Sequence, residues 1–81
     1  MNRKMKIILN NALGLKYNIK ESDTIESIIN EINIRNMMYT NSISSLIIND
    51  IQLINPSISR KTKLTSFNII GLVKSCDVTW K

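Results

Sequence analysis

Residues 24–33, Thr24-Ile25-Glu26-Ser27-Ile28-Ile29-Asn30-Glu31-Ile32-Asn33, carry their apolar side chains at Ile25, Ile28, Ile29 and Ile32. The spacing i, i+3, i+4, i+7 puts all four on one side of an α-helix with polar residues between them. The stretch therefore predicts an amphipathic helix with a single ridge of branched aliphatics. Its start is marked by Ser22, Asp23 and Thr24, each able to accept from exposed N–H groups. Asp23 and Glu26 have capping-box spacing, and both acids would sit at the positive end of the helix dipole. The helix is expected over about 24–33, and residues 34–41, which show no period and include Asn36 and Asn41, as its exit loop.

On both sides of this segment the apolar period falls to two. Met5, Ile7 and Leu9 alternate in one stretch and Tyr17 and Ile19 in the next, with Asn11-Ala12-Leu13-Gly14 between them. Gly14 can take the positive φ of a tight turn with a bulge, so these stretches predict an antiparallel hairpin. After the helix, Ser45-Leu46-Ile47-Ile48-Asn49 reads as a strand, Asn49-Asp50 as a turn and Ile51-Gln52-Leu53 as a short pairing strand. Pro56 ends that pattern and opens an exposed loop over 56–63; Leu64, Phe67 and Ile69 then suit a brief helical turn. Cys76, Val78 and Trp80 alternate along one face of a closing strand. The resulting order, β-β-α-β-β-β with a single helix, predicts an α+β fold of β-grasp type, a mixed sheet with its one apolar face packed on the isoleucine ridge. The first and last strands are expected side by side and parallel at the sheet centre.

Composition bounds the function. With 81 residues the chain is expected to form one domain, 1–81, and with 43% apolar but only 5% aromatic residues its interior should be branched-aliphatic. Cys76 is the only cysteine and there is no histidine, which excludes an internal disulfide and leaves no zinc ligand set. No apolar run approaches the roughly 20 residues of a membrane span, and no signal-peptide apolar region follows Met1, so a cytosolic or nuclear protein is expected. The net charge of +5 raises the alternative of a small nucleic-acid-binding domain. However, the basic residues are scattered beyond Arg3-Lys4, Lys6, Arg60-Lys61 and Lys63, and stacking aromatics do not accompany them, which favours a solvated surface. No catalytic set is present: Cys76 lacks an activating base and falls on the inward side of its strand, Asp23, Asp50 and Asp77 are far apart, and Gly14 and Gly71 make no phosphate loop. Neither enzyme activity nor a cofactor is expected.

Three segments in order resemble the ubiquitin family: Ser22-Asp23-Thr24-Ile25-Glu26 at the helix entry, Leu46-Ile47-Ile48 with Gln52-Leu53 in the third strand and its turn, and Leu64-Thr65-Ser66-Phe67-Asn68-Ile69. The resemblance extends from Met5 to Trp80 and implies a ubiquitin-like β-grasp. Conjugated members of that family end in Gly-Gly, whereas this sequence ends Val78-Thr79-Trp80-Lys81, so a covalent modifier is the alternative and a noncovalent protein-interaction module the leading expectation. Asn10-Asn11-Ala12-Leu13-Gly14-Leu15-Lys16 is similar to the first hairpin of splicing-associated ubiquitin-like modifiers, which also lack Gly-Gly. Ile47 is the expected partner-binding residue: alternation turns Leu46 and Ile48 inward and leaves it where the family has its recognition isoleucine. Ile8 and Leu13 are expected to join it. Asp23 would match the acid that, in the splicing-associated members, binds an arginine on a partner helix, although helix capping alone also explains it. The expected partners are other proteins, met by a monomer through its sheet face.

Overall fold

The computed structural model describes residues 7–14, 16–38 and 42–81. Met5 and Leu15, the basic residues Arg3, Lys4 and Lys6, and positions 39–41 of the expected exit loop lie outside them. The described chain forms β1 (Ile7–Leu9), β2 (Asn18–Ile19), α1 (Ile25–Arg35), β3 (Ile43–Ile48), β4 (Ile51–Gln52), a 3-10 turn (Leu64–Phe67), β5 (Gly71–Leu72) and β6 (Cys76–Trp80). It is an α+β arrangement of one helix and a four-stranded sheet of order β1-β6-β3-β4, with β2 and β5 paired separately.

The isoleucine ridge organises the interior. Ile25, Ile28, Ile29 and Ile32 are all buried and share one core with Leu46 and Ile48 of β3, Cys76, Val78 and Trp80 of β6, and Leu64 of the 3-10 turn. Burying a side chain of this size contributes roughly 1.5–3 kcal/mol, so this cluster outweighs any single polar contact in the molecule. Trp80 is the largest member; its indole N–H is satisfied by donating to Asn33 Oδ1 at 3.1 Å.

The helix entry differs in detail from the sequence reading. The N-cap is Thr24, whose Oγ1 accepts from the Ser27 N–H while Ser27 Oγ accepts from the Thr24 N–H, so the capping box pairs Thr24 with Ser27 and not Asp23 with Glu26. Asp23 braces the preceding turn instead: its Oδ2 accepts from the Lys20 N–H at 2.9 Å and its Oδ1 from Ser27 Oγ at 3.3 Å. The next two helical donors are met by a distant loop, Ile25 N–H by the Thr62 carbonyl at 3.0 Å and Glu26 N–H by the Arg60 carbonyl at 2.8 Å. With these bonds the exposed donors of the first turn are satisfied within the chain. At the other end α1 runs two residues beyond its expected limit, to Arg35.

Two expectations about the strands are corrected. β1 lies beside β6, as expected, but antiparallel to it, with Ile7 opposite Trp80 and Leu9 opposite Val78. All the pairings among the described residues are antiparallel, so the sheet they form is not mixed in that sense. Nor do the first two strands make a hairpin, because β2 pairs with β5, Asn18 opposite Leu72 and Ile19 opposite Gly71. The cause lies in the intervening turn. Ala12 and Leu13 are buried, and the helix end holds their carbonyls through Arg35 Nη1 to Leu13 O at 3.2 Å and Asn36 Nδ2 to Ala12 O at 3.3 Å. Gly14 does take a positive φ of 87°, inside a turn drawn toward the core.

The β3–β4 connection is the tight hairpin expected at Asn49-Asp50. Both residues have positive φ, 50° and 68°, the signature of a primed two-residue turn. The 3-10 turn closes on Asn68 in the left-handed region at φ 60°, with its N–H returned to Leu64 and Thr65 carbonyls. Replacing Ile28, which is fully buried, by alanine is expected to cost about 2–5 kcal/mol in urea unfolding, whereas Thr24→Ala, which removes only the cap, should cost about 1 kcal/mol.

Candidate partner-binding face

Directly opposed residues in a sheet project from the same face, so the register sorts the two sides. Trp80, Val78, Cys76, Leu46 and Ile48 form the inner side against the core. The outer side carries Ile8 opposite Thr79, Thr79 opposite Ser45, and Asp77 opposite Ile47, which in turn faces Gln52 of β4. Ile47 is half-buried on this outer face and Ile8 is 69% exposed. The two belong to strands separated by β6 and to rows two residues apart, roughly 12 Å by ordinary strand spacing, so Thr79 and Asp77 lie between them.

Asp77, Gln52 and Ser45 are anchored by hydrogen bonds. Asp77 Oδ1 accepts from the Asn11 N–H at 3.3 Å. Gln52 folds over the β3 edge, its Oε1 accepting from the N–H groups of Leu46 at 3.0 Å and Ile54 at 3.1 Å while its Nε2 donates to Ser45 Oγ at 2.9 Å. The face thus presents two aliphatic points on a fixed polar frame, with a carboxylate available between them.

Of the residues expected to bind a partner, Ile47 and Ile8 share this face. Leu13 does not: at 1% exposure it is a core residue, pulled inward by the turn it occupies, and it has no surface to offer. Asp23 is only part-exposed, at the helix entry, with both carboxylate oxygens already accepting hydrogen bonds. Exposed apolar residues that the sequence reading left unassigned are Ile34 and Met37 at the end of α1 and Ile70 and Leu72 on either side of Gly71. Ile70 and Leu72 were detectable as the odd positions of an alternation with buried Ile69 and Val73, but the run is short and interrupted by glycine.

Two titratable side chains sit apart from this face. Tyr17 lies under the Arg35 guanidinium, 5.0 Å from the ring centroid, and partial burial raises its pKa, helped by the Asp23 and Glu31 carboxylates and opposed by Arg35. Cys76, the first residue of β6, is buried on the inner side of the sheet. Loss of hydration pushes its thiol up from 9.0 to about 11; the backbone N–H groups of Leu13 and Ala12 pull it down, and the Asp77 carboxylate adds to the rise. The neutral thiol is thus the stable form here, the opposite of what a nucleophile requires.

Comparison with protein-family models, with curated proteins and with solved structures gives no match. Among the described residues, no helix is long and apolar enough to cross a membrane.

The state of Cys76 has a measurable consequence. A disulfide reagent at pH 8 is expected to label it only as fast as the protein unfolds, and immediate labelling of native protein would place the thiol outside the core. Because the folded pKa is the higher one, the unfolded chain ionises first; the contribution of this group to stability is whole below pH 9.0 and should be lost as the pH rises toward about 11. Denaturation curves of the wild type against Cys76→Ala over that range would measure it.

Proposed function

We propose that this chain is a ubiquitin-like docking module that binds other proteins noncovalently through the outer face of its sheet, with Ile8 and Ile47 as apolar anchors and Asp77 as the polar centre. The observation that carries the reading is the pairing of a highly exposed isoleucine with a second, half-buried one on a rigid sheet face whose opposite side is occupied by the core. Binding faces combine such apolar points with a few oriented polar groups, and Asp77 between the isoleucines would select a partner that brings a donor or a cation to that spot.

The β-grasp assignment is supported by the helix ridge lying on one sheet, by the last strand standing between the first and third, and by the 3-10 turn that ends on Asn68. The chain departs from that pattern in the antiparallel direction of β1 and in the pairing of β2 with β5 in place of a β1–β2 hairpin. The protein-binding reading is supported by the surface more than by the assignment, since one fold hosts many functions.

The test uses three single variants that leave the core intact. Ile8→Asp and Ile47→Asp are each expected to weaken capture of the wild-type partner by tenfold or more, the usual effect of losing a central apolar anchor. Ile34→Asp, which alters an exposed isoleucine on the helix, should leave capture unchanged. If the sheet variants fold normally and retain every partner, this face is not the docking surface.

A further inference from the structure

The loop that follows β4 builds a second feature, on residues distinct from the outer sheet face. Leu53, Ile54, Asn55, Pro56, Ile58 and Arg60 enclose an open groove of about 300 Å³. Leu53 supplies a buried floor; Ile54 and Ile58 are half-buried and Pro56 and Arg60 exposed. A volume at the lower end of the range for ligand sites suits one or two side chains of a bound peptide.

The walls are fixed by local hydrogen bonds. Asn55 Oδ1 accepts from the Ser57 N–H at 2.8 Å, its carbonyl from the Ile58 N–H at 2.9 Å, and Ser59 Oγ from the Lys61 N–H at 3.1 Å. The Arg60 carbonyl is held by the Glu26 N–H at the start of α1, which secures the backbone of Arg60 and leaves its guanidinium at the rim. A groove set in this way needs little ordering when it is filled.

Charge decides what would fill it. Arg60 is followed by Lys61 and Lys63, and no acidic residue lines the groove. Among the described residues the ion pair is Glu31–Arg35, so the guanidinium of Arg60 is not held by a carboxylate of the chain. We infer that the groove formed by residues 53–60 takes a peptide segment of a partner protein in which an aliphatic side chain lies beside an aspartate or glutamate, the aliphatic group against Leu53, Ile54 and Ile58 and the carboxylate paired with the fork of Arg60. Guanidinium and carboxylate match in plane and in spacing, and a bidentate pair also fixes the register of the segment. This assignment does not depend on the outer-face reading, since it uses none of the same residues.

The experiment is a titration of the full chain, labelled with nitrogen-15, with a synthetic octapeptide of centre Asp-Leu-Asp-Ile, followed by amide shifts. Shifts confined to residues 53–60 are expected, weakened at least tenfold when lysine replaces the aspartates or alanine replaces the leucine and isoleucine. Arg60→Glu should abolish binding of the acidic peptide and leave the remaining spectrum in place, because the helix uses the carbonyl of this residue and not its side chain. Ile47→Asp should bind as the wild type does. No shift at millimolar peptide, equal binding of the lysine peptide, or shifts centred on Ile8 and Ile47 would each overturn the assignment; the last would favour the outer face instead.

Discussion

The four isoleucines of α1 must be kept from water, and the inner face of the sheet, joined by Leu64 of the 3-10 turn, does it. A ridge of this kind has no stable existence alone, because a short helix in water is marginal and gains its stability from packing. The strands that cover it are drawn from distant parts of the chain: β1 near the start, β3 and β4 after the helix, β6 at residues 76–80. Trp80 joins these parts, standing opposite both Ile7 and Ile43 while its indole N–H reaches Asn33 on the helix. One face of the sheet is committed to this task, which leaves the other free to be used.

Much of this was readable from residue spacing, and the failures have physical causes. The period of the apolar positions located α1, β3, β4 and β6 and put Leu46, Ile48, Val78 and Trp80 inside, since alternation fixes which side of a strand is buried. Alternation says nothing about strand direction: Ile7 and Leu9 meet Trp80 and Val78 equally well in a parallel or an antiparallel pair, and the structure has the second. Ile43 shows a different limit. Counting by twos from Ile47 would put it outside, but the register shifts between Ile43 and Ser45, a bulge in which Ser44 Oγ donates to the Thr79 carbonyl at 3.2 Å, and Ile43 turns into the core. β5, two residues long with Gly71 at its head, had too little pattern to be seen.

The candidate sites divide in the same way. Ile47 and Ile8 could be placed because they lie in regular strands, where sequence parity gives orientation. Leu13 sits in a turn, where no parity operates, and only the donors of Arg35 and Asn36 explain why it faces inward. Asp23 is an acid at a helix entry, a position in which sequence alone cannot separate bracing from binding; here the N–H of Lys20 and the hydroxyl of Ser27 occupy it. The groove over 53–60 was hidden altogether, because its walls come from side chain-to-backbone bonds inside a stretch whose composition says only loop.

The bonds from Ile25 and Glu26 to the carbonyls of Thr62 and Arg60 bear on how such a protein could change over generations. An anchor made of main-chain atoms is indifferent to which side chains it carries. The side chains at positions 60 and 62 can therefore change in charge or shape while the helix entry stays braced, a freedom that Asn55 and Ser59, whose side chains hold the walls, do not share. Surfaces tied down by their own side chains lack that latitude.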